Sequence, residues 1–179
     1  MKEALLMAIT LERFAADCHA ALKAEPGTPG REKVRELVKL ALADADFVTT
    51  YVPPGTPERH LLYEDAELGF AILAHGYIGP KGSKPHDHGP SWAIYGQAAG
   101  ETIMTAWDCV ARPTDGAPGK ASFNHDYVMK PGDAYLYDIG VLHSPERKDD
   151  TRLLRIEGLN MAKVKRFPYE AVELSQAAE

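Results

Sequence analysis

The sequence predicts a mainly β, single-domain protein with two helices at its N-terminal end. Three observations lead there. The chain has 179 residues, which suits one hydrophobic core. Its first 44 residues carry apolar side chains at helical spacing in two blocks separated by a Pro/Gly break. From residue 59 to residue 158 short apolar runs alternate with Gly, Pro and Asp turns, the pattern of a sandwich or barrel.

In the first block, residues 2–24, Met7, Leu11, Phe14, Cys18 and Leu22 recur every three or four positions and form one apolar stripe. Glu25-Pro26-Gly27-Thr28-Pro29-Gly30 ends it. Thr28 followed by Pro29 reads as an N-cap and first helical residue. The second helix is expected over about 30–44, with Val34, Leu37, Val38 and Ala41 inward. FVTTYV (47–52) is β-branched and aromatic, so it is expected to be a strand. Pro53–Pro57 is a loop. The strand candidates that follow are RHLLYE, GFAILAHGYI, SWAIYGQAAG, ETIMTAWDCV, FNHDYVMK, DAYLYDIG and TRLLRIEG. Arg112–Lys120 reads as an exposed loop, and a short helix is expected around Tyr169–Gln176. The chain thus divides into a helical segment packed on the barrel (1–45), the β-barrel (46–158) and a tail (159–179).

Apolar residues make up 45% and charged residues 26% of the chain, as in ordinary soluble proteins. The formal net charge of −6 argues against nucleic acid as a partner, because phosphate binding needs clustered Lys and Arg. No apolar run approaches the ~20 residues that span a bilayer. Two cysteines, Cys18 and Cys109, form no Cys-x-x-Cys, which fits a reducing compartment. The N-terminal stretch is broken by Glu3 and Glu12 and lacks signal-peptide shape, so a cytoplasmic location is expected.

Chemistry concentrates in Lys84-Pro85-His86-Asp87-His88-Gly89, with His143 further on. Two histidines two apart on a strand share a face, and neutral imidazoles are the commonest ligands for divalent transition metals. A third histidine from another strand closes a facial site. Asp87 lies between the two and is expected to face away. His19 and His125 read as ordinary surface or core residues, His60 as structural, and His75 as a strand residue near the mouth. Trp92, Tyr77, Tyr95 and Trp107 read as core or pocket wall.

The spacing resembles the two motifs of the cupin superfamily. His86, His88 and Gly100 match the first; Gly132, Gly140 and His143 match the second. Where the superfamily's metal-binding Glu falls, this chain has Ala93; Asp138 replaces the second motif's Pro and Arg147 its Asn. A site of three neutral histidines leaves the full 2+ charge on the metal and leaves positions open for an anionic substrate and O2.

Among cupins the chain resembles the cysteine dioxygenase-like (thiol dioxygenase) branch over roughly residues 47–158. The resemblance lies in HDHG followed by Trp92, the small Ala93, the Gly100-Glu101 turn and Arg59-His60-Leu61-Leu62-Tyr63. It implies an RmlC-like cupin jelly-roll β-barrel, a non-haem Fe(II) held by His86, His88 and His143, and conversion of a small thiol to a sulfinate with O2. Zn, Ni and Mn also suit such a site. It further implies that Arg59 pairs a substrate carboxylate, as planar guanidinium does, and that two barrels can associate as a homodimer. The branch carries Ser-x-His-x-Tyr on a late strand. Here Leu153, Arg155 and Glu157 stand in those places. Alternation puts Arg155 and Glu157 opposite Leu154 and Ile156, by default on an outward polar face; inside the barrel they would form a buried pair with a functional role, Glu157 serving as a base if its pKa is raised. Two other functions stay open: O2-dependent C–C cleavage of a β-dicarbonyl compound, and non-catalytic binding of a metal or small molecule.

Overall fold

The computed structural model describes residues 9–173. Three helices precede the strands: α1 (Leu11–Ala24), α2 (Thr28–Ala43) and α3 (Ala45–Tyr51). Thr10 caps α1, its hydroxyl accepting from the Arg13 amide. The expected start of the first helix at residue 2 lies outside the described residues. In α2 the cap is Gly27 rather than Thr28, which is already helical, with Pro29 in the first turn. The expected strand at 47–52 is instead α3. Asp44 caps it by accepting from the Asp46 and Phe47 amides. Phe47 then packs edge-on against Phe14 and beside Tyr51, so tertiary packing overrides the β propensity of the two threonines and the valine.

Ten strands follow: β1 (His60–Glu64), β2 (Ala71–Tyr77), β3 (Lys81–Gly82), β4 (Ala93–Ala99), β5 (Thr102–Ala111), β6 (Gly119–Met129), β7 (Ala134–Tyr137), β8 (Leu142–Arg147), β9 (Thr151–Glu157) and β10 (Tyr169–Ala171). They form two five-stranded sheets, β1-β2-β9-β4-β7 and β10-β6-β5-β8-β3. The tail, expected to be helical from Tyr169, instead adds β10 parallel to β6; residues 174–179 lie outside the described residues. The loop expected at Arg112–Lys120 covers 112–118, tied by a single bridge between Thr114 and Ala117, while Gly119 and Lys120 already belong to β6.

The central strands of the first sheet, β2, β9 and β4, are buried on both faces. On one face Phe14, Cys18, Val34, Val38 and Phe47 of the helices meet Ile72, Ala74, Ile94, Leu154 and Ile156. On the other face Ala93, Tyr95 and Tyr137 pack against Met104 and Met129 of the second sheet. Side chains alternate along a strand, so Leu153, Arg155 and Glu157 of β9 point between the sheets. The polar face expected to look outward is therefore interior.

Two glycines make this arrangement possible. Gly100 turns β4 into β5 at φ +68, a conformation that suits glycine. At Gly96, a Cβ would lie 2.5 Å from Val38 Cγ1 and 2.9 Å from Leu42 Cδ1, so its absence lets α2 lie directly on β4. Gly96→Val is expected to destabilise the fold by about 1–3 kcal/mol through overpacking, read as a lowered urea midpoint; an unchanged midpoint would show that α2 shifts freely on the sheet.

Candidate metal centre

His143 is the second residue of β8, while His86 and His88 lie in the connection from β3 to β4. The expectation that they share a regular strand is corrected. Pro85 and Pro90 offer no N–H for a ladder, and only one bridge forms, between His86 and His143. In it the His86 amide donates to the His143 carbonyl and the His143 amide to the His86 carbonyl, both at 3.0 Å. Backbone pairing thus locks two of the three imidazoles side by side. Asp87 turns away, accepting from the Gly89 amide and the Tyr169 hydroxyl.

The three imidazoles converge, with one ring nitrogen of each within 4.8 Å of the others. His86 Nδ1 lies 2.9 Å from the Lys84 carbonyl and His143 Nδ1 3.3 Å from the Val141 carbonyl. These contacts place the ring proton on Nδ1 and leave the Nε2 lone pair for the centre. His88 Nε2 is 2.9 Å from the Tyr95 hydroxyl, and its buried Nδ1 has no partner. Burial pushes the His86 pKa down to about 4. The His88 and His143 pKa values also fall well below the usual range, through burial first; Arg155 then adds to the effect on His88, and His86 to that on His143. Near neutral pH all three are uncharged donors, the protonation state a metal ligand needs. This donor set fits a divalent transition ion.

Beside the histidines opens a cavity of about 560 Å³ whose walls include Tyr77, His86, Tyr95, Arg147, Leu153 and Arg155. The exposed Lys81, Lys84 and Arg166 also border it. Lys81 is paired with Glu58. Arg147 is only 5% exposed, its guanidinium sits 4.2 Å over the Tyr77 ring, and its Nε has no hydrogen-bond partner. It pairs with no carboxylate among the described residues, and burial lowers its pKa. Arg155 lies 4.6 Å over the Tyr95 ring.

Arg59, expected to anchor a substrate carboxylate, is engaged elsewhere. Both of its terminal nitrogens donate to the two Glu157 oxygens, at 3.0 and 2.9 Å, and one also reaches Asn160. Glu157 is fully buried; it also accepts from the Met161 amide and lies 3.0 Å from Arg155 Nε, without hydrogen-bond alignment. Burial raises its pKa, but Arg59, Arg155 and the Met161 amide outweigh this and leave it below the usual range. The raised pKa that a Glu157 base requires is not present. Glu157 is a fixed anion that holds Arg59 and Arg155 in place.

Two site residues carried little sequence signal. Arg147 stood out only as the residue in the place of the second motif's Asn. Tyr95 was assigned to core or pocket wall; its period-2 relation to Ala93 was the signal for its closeness to the centre.

No protein-family profile matches the chain, and no curated protein matches its sequence. Solved structures of similar shape include a cupin superfamily protein from Desulfitobacterium hafniense (14% identity, TM-score 0.41, 57% of this chain and 76% of that one). Others are a cupin-2 domain protein from Shewanella frigidimarina (13%, 0.40, 55% and 76%) and an oxalate oxidase (15%, 0.39, 51% and 43%). No described helix is long and apolar enough to cross a membrane.

Two stability effects follow. Glu157→Ala strands two guanidinium groups; breaking a buried pair costs about 3–5 kcal/mol, and the partial exposure of Arg59 places the expected loss near ~3 kcal/mol by urea denaturation. In metal-free protein, burial and then Arg155 push the His75 pKa down to about 3, against roughly 6.5 unfolded. As pH falls below 6.5 the unfolded chain takes up a proton that the folded one refuses, so stability drops, by up to ~1.4 kcal/mol per pH unit for this group. His75→Gln is expected to make the fall in melting temperature between pH 7 and pH 4 shallower; an unaltered slope would mean His75 titrates normally.

Proposed function

We propose that this protein is a non-haem Fe(II)-dependent dioxygenase that oxidises a small anionic thiol, a thiol carboxylate, to a sulfinate. The observation that carries the reading is a buried guanidinium, Arg147, without a carboxylate partner among the described residues, in the cavity that opens on His86 of the three-imidazole cluster. A buried cation without a counter-ion is costly unless something else neutralises it. An anionic substrate entering the cavity does so, and a planar carboxylate matches the Arg147 fork.

His86, His88 and His143 would hold the iron, which would supply the one-electron chemistry needed to add both atoms of O2 to a closed-shell thiolate sulfur. The protein's own residues do the rest. Arg147 binds and orients the carboxylate, Arg155 keeps the interior positive so that the thiolate form is favoured, and Tyr77 and Leu153 wall the cavity. Glu157 and Arg59 fix Arg155 from behind. Their place in the fold supports a positioning role, and Arg147 takes over the anchoring role first expected of Arg59.

A second reading rests on the Leu153, Arg155 and Glu157 replacement of the Ser-His-Tyr set: a β-dicarbonyl enolate is also a small anion and suits the same cations. Substrate tests separate the two. O2 uptake by the Fe(II)-loaded protein with cysteine or 3-mercaptopropionate, matched by sulfinate formation, supports the thiol reading; uptake only with enolisable dicarbonyls supports the other, and no uptake with either sinks both.

His86→Ala is expected to abolish stoichiometric iron binding; full iron content in that variant would overturn the three-histidine assignment. Arg147→Met is expected to lower kcat/KM roughly ten- to a hundredfold, the loss of a hydrogen bond to a charged group (about 1.5–3 kcal/mol). The same variant should raise the melting temperature of the substrate-free protein, because it removes an uncompensated buried charge. A variant that is neither slower nor more stable would remove Arg147 from this role.

A further inference from the structure

The geometry points to Tyr95 as a fourth protein ligand of the metal, its side-chain oxygen completing a three-histidine, one-tyrosine centre. The inference rests on the three-histidine metal reading above and adds a ligand to it.

Tyr95 lies on β4 two residues beyond Ala93, so the two side chains share the face that looks between the sheets. Ala93 has no donor atom to offer. The longer Tyr95 side chain, starting further along the same strand, delivers an oxygen to the centre instead. That oxygen lies 2.9 Å from His88 Nε2 and 3.4 Å from His143 Nε2. Donors bonded to a metal at about 2.0–2.1 Å stand roughly 2.9 Å apart at right angles and roughly 3.3 Å apart in a tetrahedron. The tyrosine oxygen is therefore at ligand-to-ligand distance from two of the three imidazoles.

Without a metal, a hydrogen-bond chain can join the three groups: the His88 proton, with Nδ1 unpartnered, sits on Nε2 and is donated to the Tyr95 oxygen, whose own proton goes to His143 Nε2, left an acceptor by the Nδ1 contact with Val141. One cation in the shared space replaces that chain, taking the lone pairs of both imidazoles and of the tyrosine oxygen together. Tyr95 is 3% exposed, and among the described residues its oxygen has no hydrogen-bond partner besides these two histidines. Arg155 over the ring face favours electron density on the ring and oxygen. Tyr137, whose ring stacks 4.0 Å from His143, differs: its hydroxyl is bonded to Tyr127 and to the Met129 sulfur, so it is an internal control.

The test is spectroscopic and needs no substrate. The purified full chain is loaded with Fe(III), and its iron content and visible absorption are measured for wild type, Tyr95→Phe and Tyr137→Phe, with circular dichroism as a folding check. Iron bound by a tyrosine oxygen gives an intense ligand-to-metal charge-transfer band. We expect the band in wild type and Tyr137→Phe and its loss in Tyr95→Phe. We also expect Tyr95→Phe to weaken metal affinity by at least roughly tenfold, since even outer-shell changes cost that much, measured by competition with a chelator. A wild type that binds iron without the band, or a Tyr95→Phe protein that keeps both band and affinity, overturns the tyrosine ligand and leaves the three histidines standing. A wild type that binds no iron overturns both.

Discussion

The fold depends on burying both faces of one sheet. With α1, α2 and α3 covering Leu154 and Ile156, the alternate side chains of β9 have nowhere to go but the space between the sheets. Two of the four, Arg155 and Glu157, are charged. A lone buried carboxylate is prohibitively costly, and Glu157 is tolerated because Arg59 grips it with two hydrogen bonds and the Met161 amide adds a third contact. The pair joins the residue just before β1 to the last residue of β9, closing the sheet at the end where the chain enters the tail. It also restrains Arg155, which leaves Arg147 as the buried cation lining the cavity without a carboxylate partner among the described residues.

Much of the fold was legible because it is local. The apolar stripes of α1 and α2 and the turn-separated runs of the strands are written in windows of ten residues or so, and the structure keeps them. Residues 47–52 were not legible from composition: β-branched residues there form a helix because Asp44 caps it and Phe47 finds Phe14. The cap was readable in Asp44, but the aromatic partner is 33 positions away in sequence. The tail was misjudged for the same reason, since β10 exists only through its pairing with β6.

The candidate site divides along the same line. The His86-x-His88 spacing and the glycine pattern before His143 could be read directly, although the mechanism of their convergence could not. It is a single backbone bridge, not a shared strand, that sets His86 beside His143. The role first expected of Arg59 depended on what lies opposite it, and Glu157 is 98 residues on. Nor could sequence reveal that Arg147 would be enclosed without a counter-charge, because that is a statement about all the neighbours it lacks.

The electrostatics of the cavity run against those of the chain. The protein carries a net charge of −6, yet the cavity beside His86 is lined by Lys81, Lys84, Arg147, Arg155 and Arg166 against one carboxylate, Glu58, which is paired with Lys81. Burial first, with Arg155 and Arg166 adding to it, keeps the imidazoles neutral, but the same cations oppose the 2+ charge of a metal. The conflict is resolved only if anions arrive with the cation. In the proposed centre a tyrosine oxygen supplies one from within, and a substrate held by Arg147 supplies another from solution. Arg155 lies over the Tyr95 ring, is restrained by Glu157 and lines the cavity, so under that proposal metal binding and anion binding share one residue and are coupled through it.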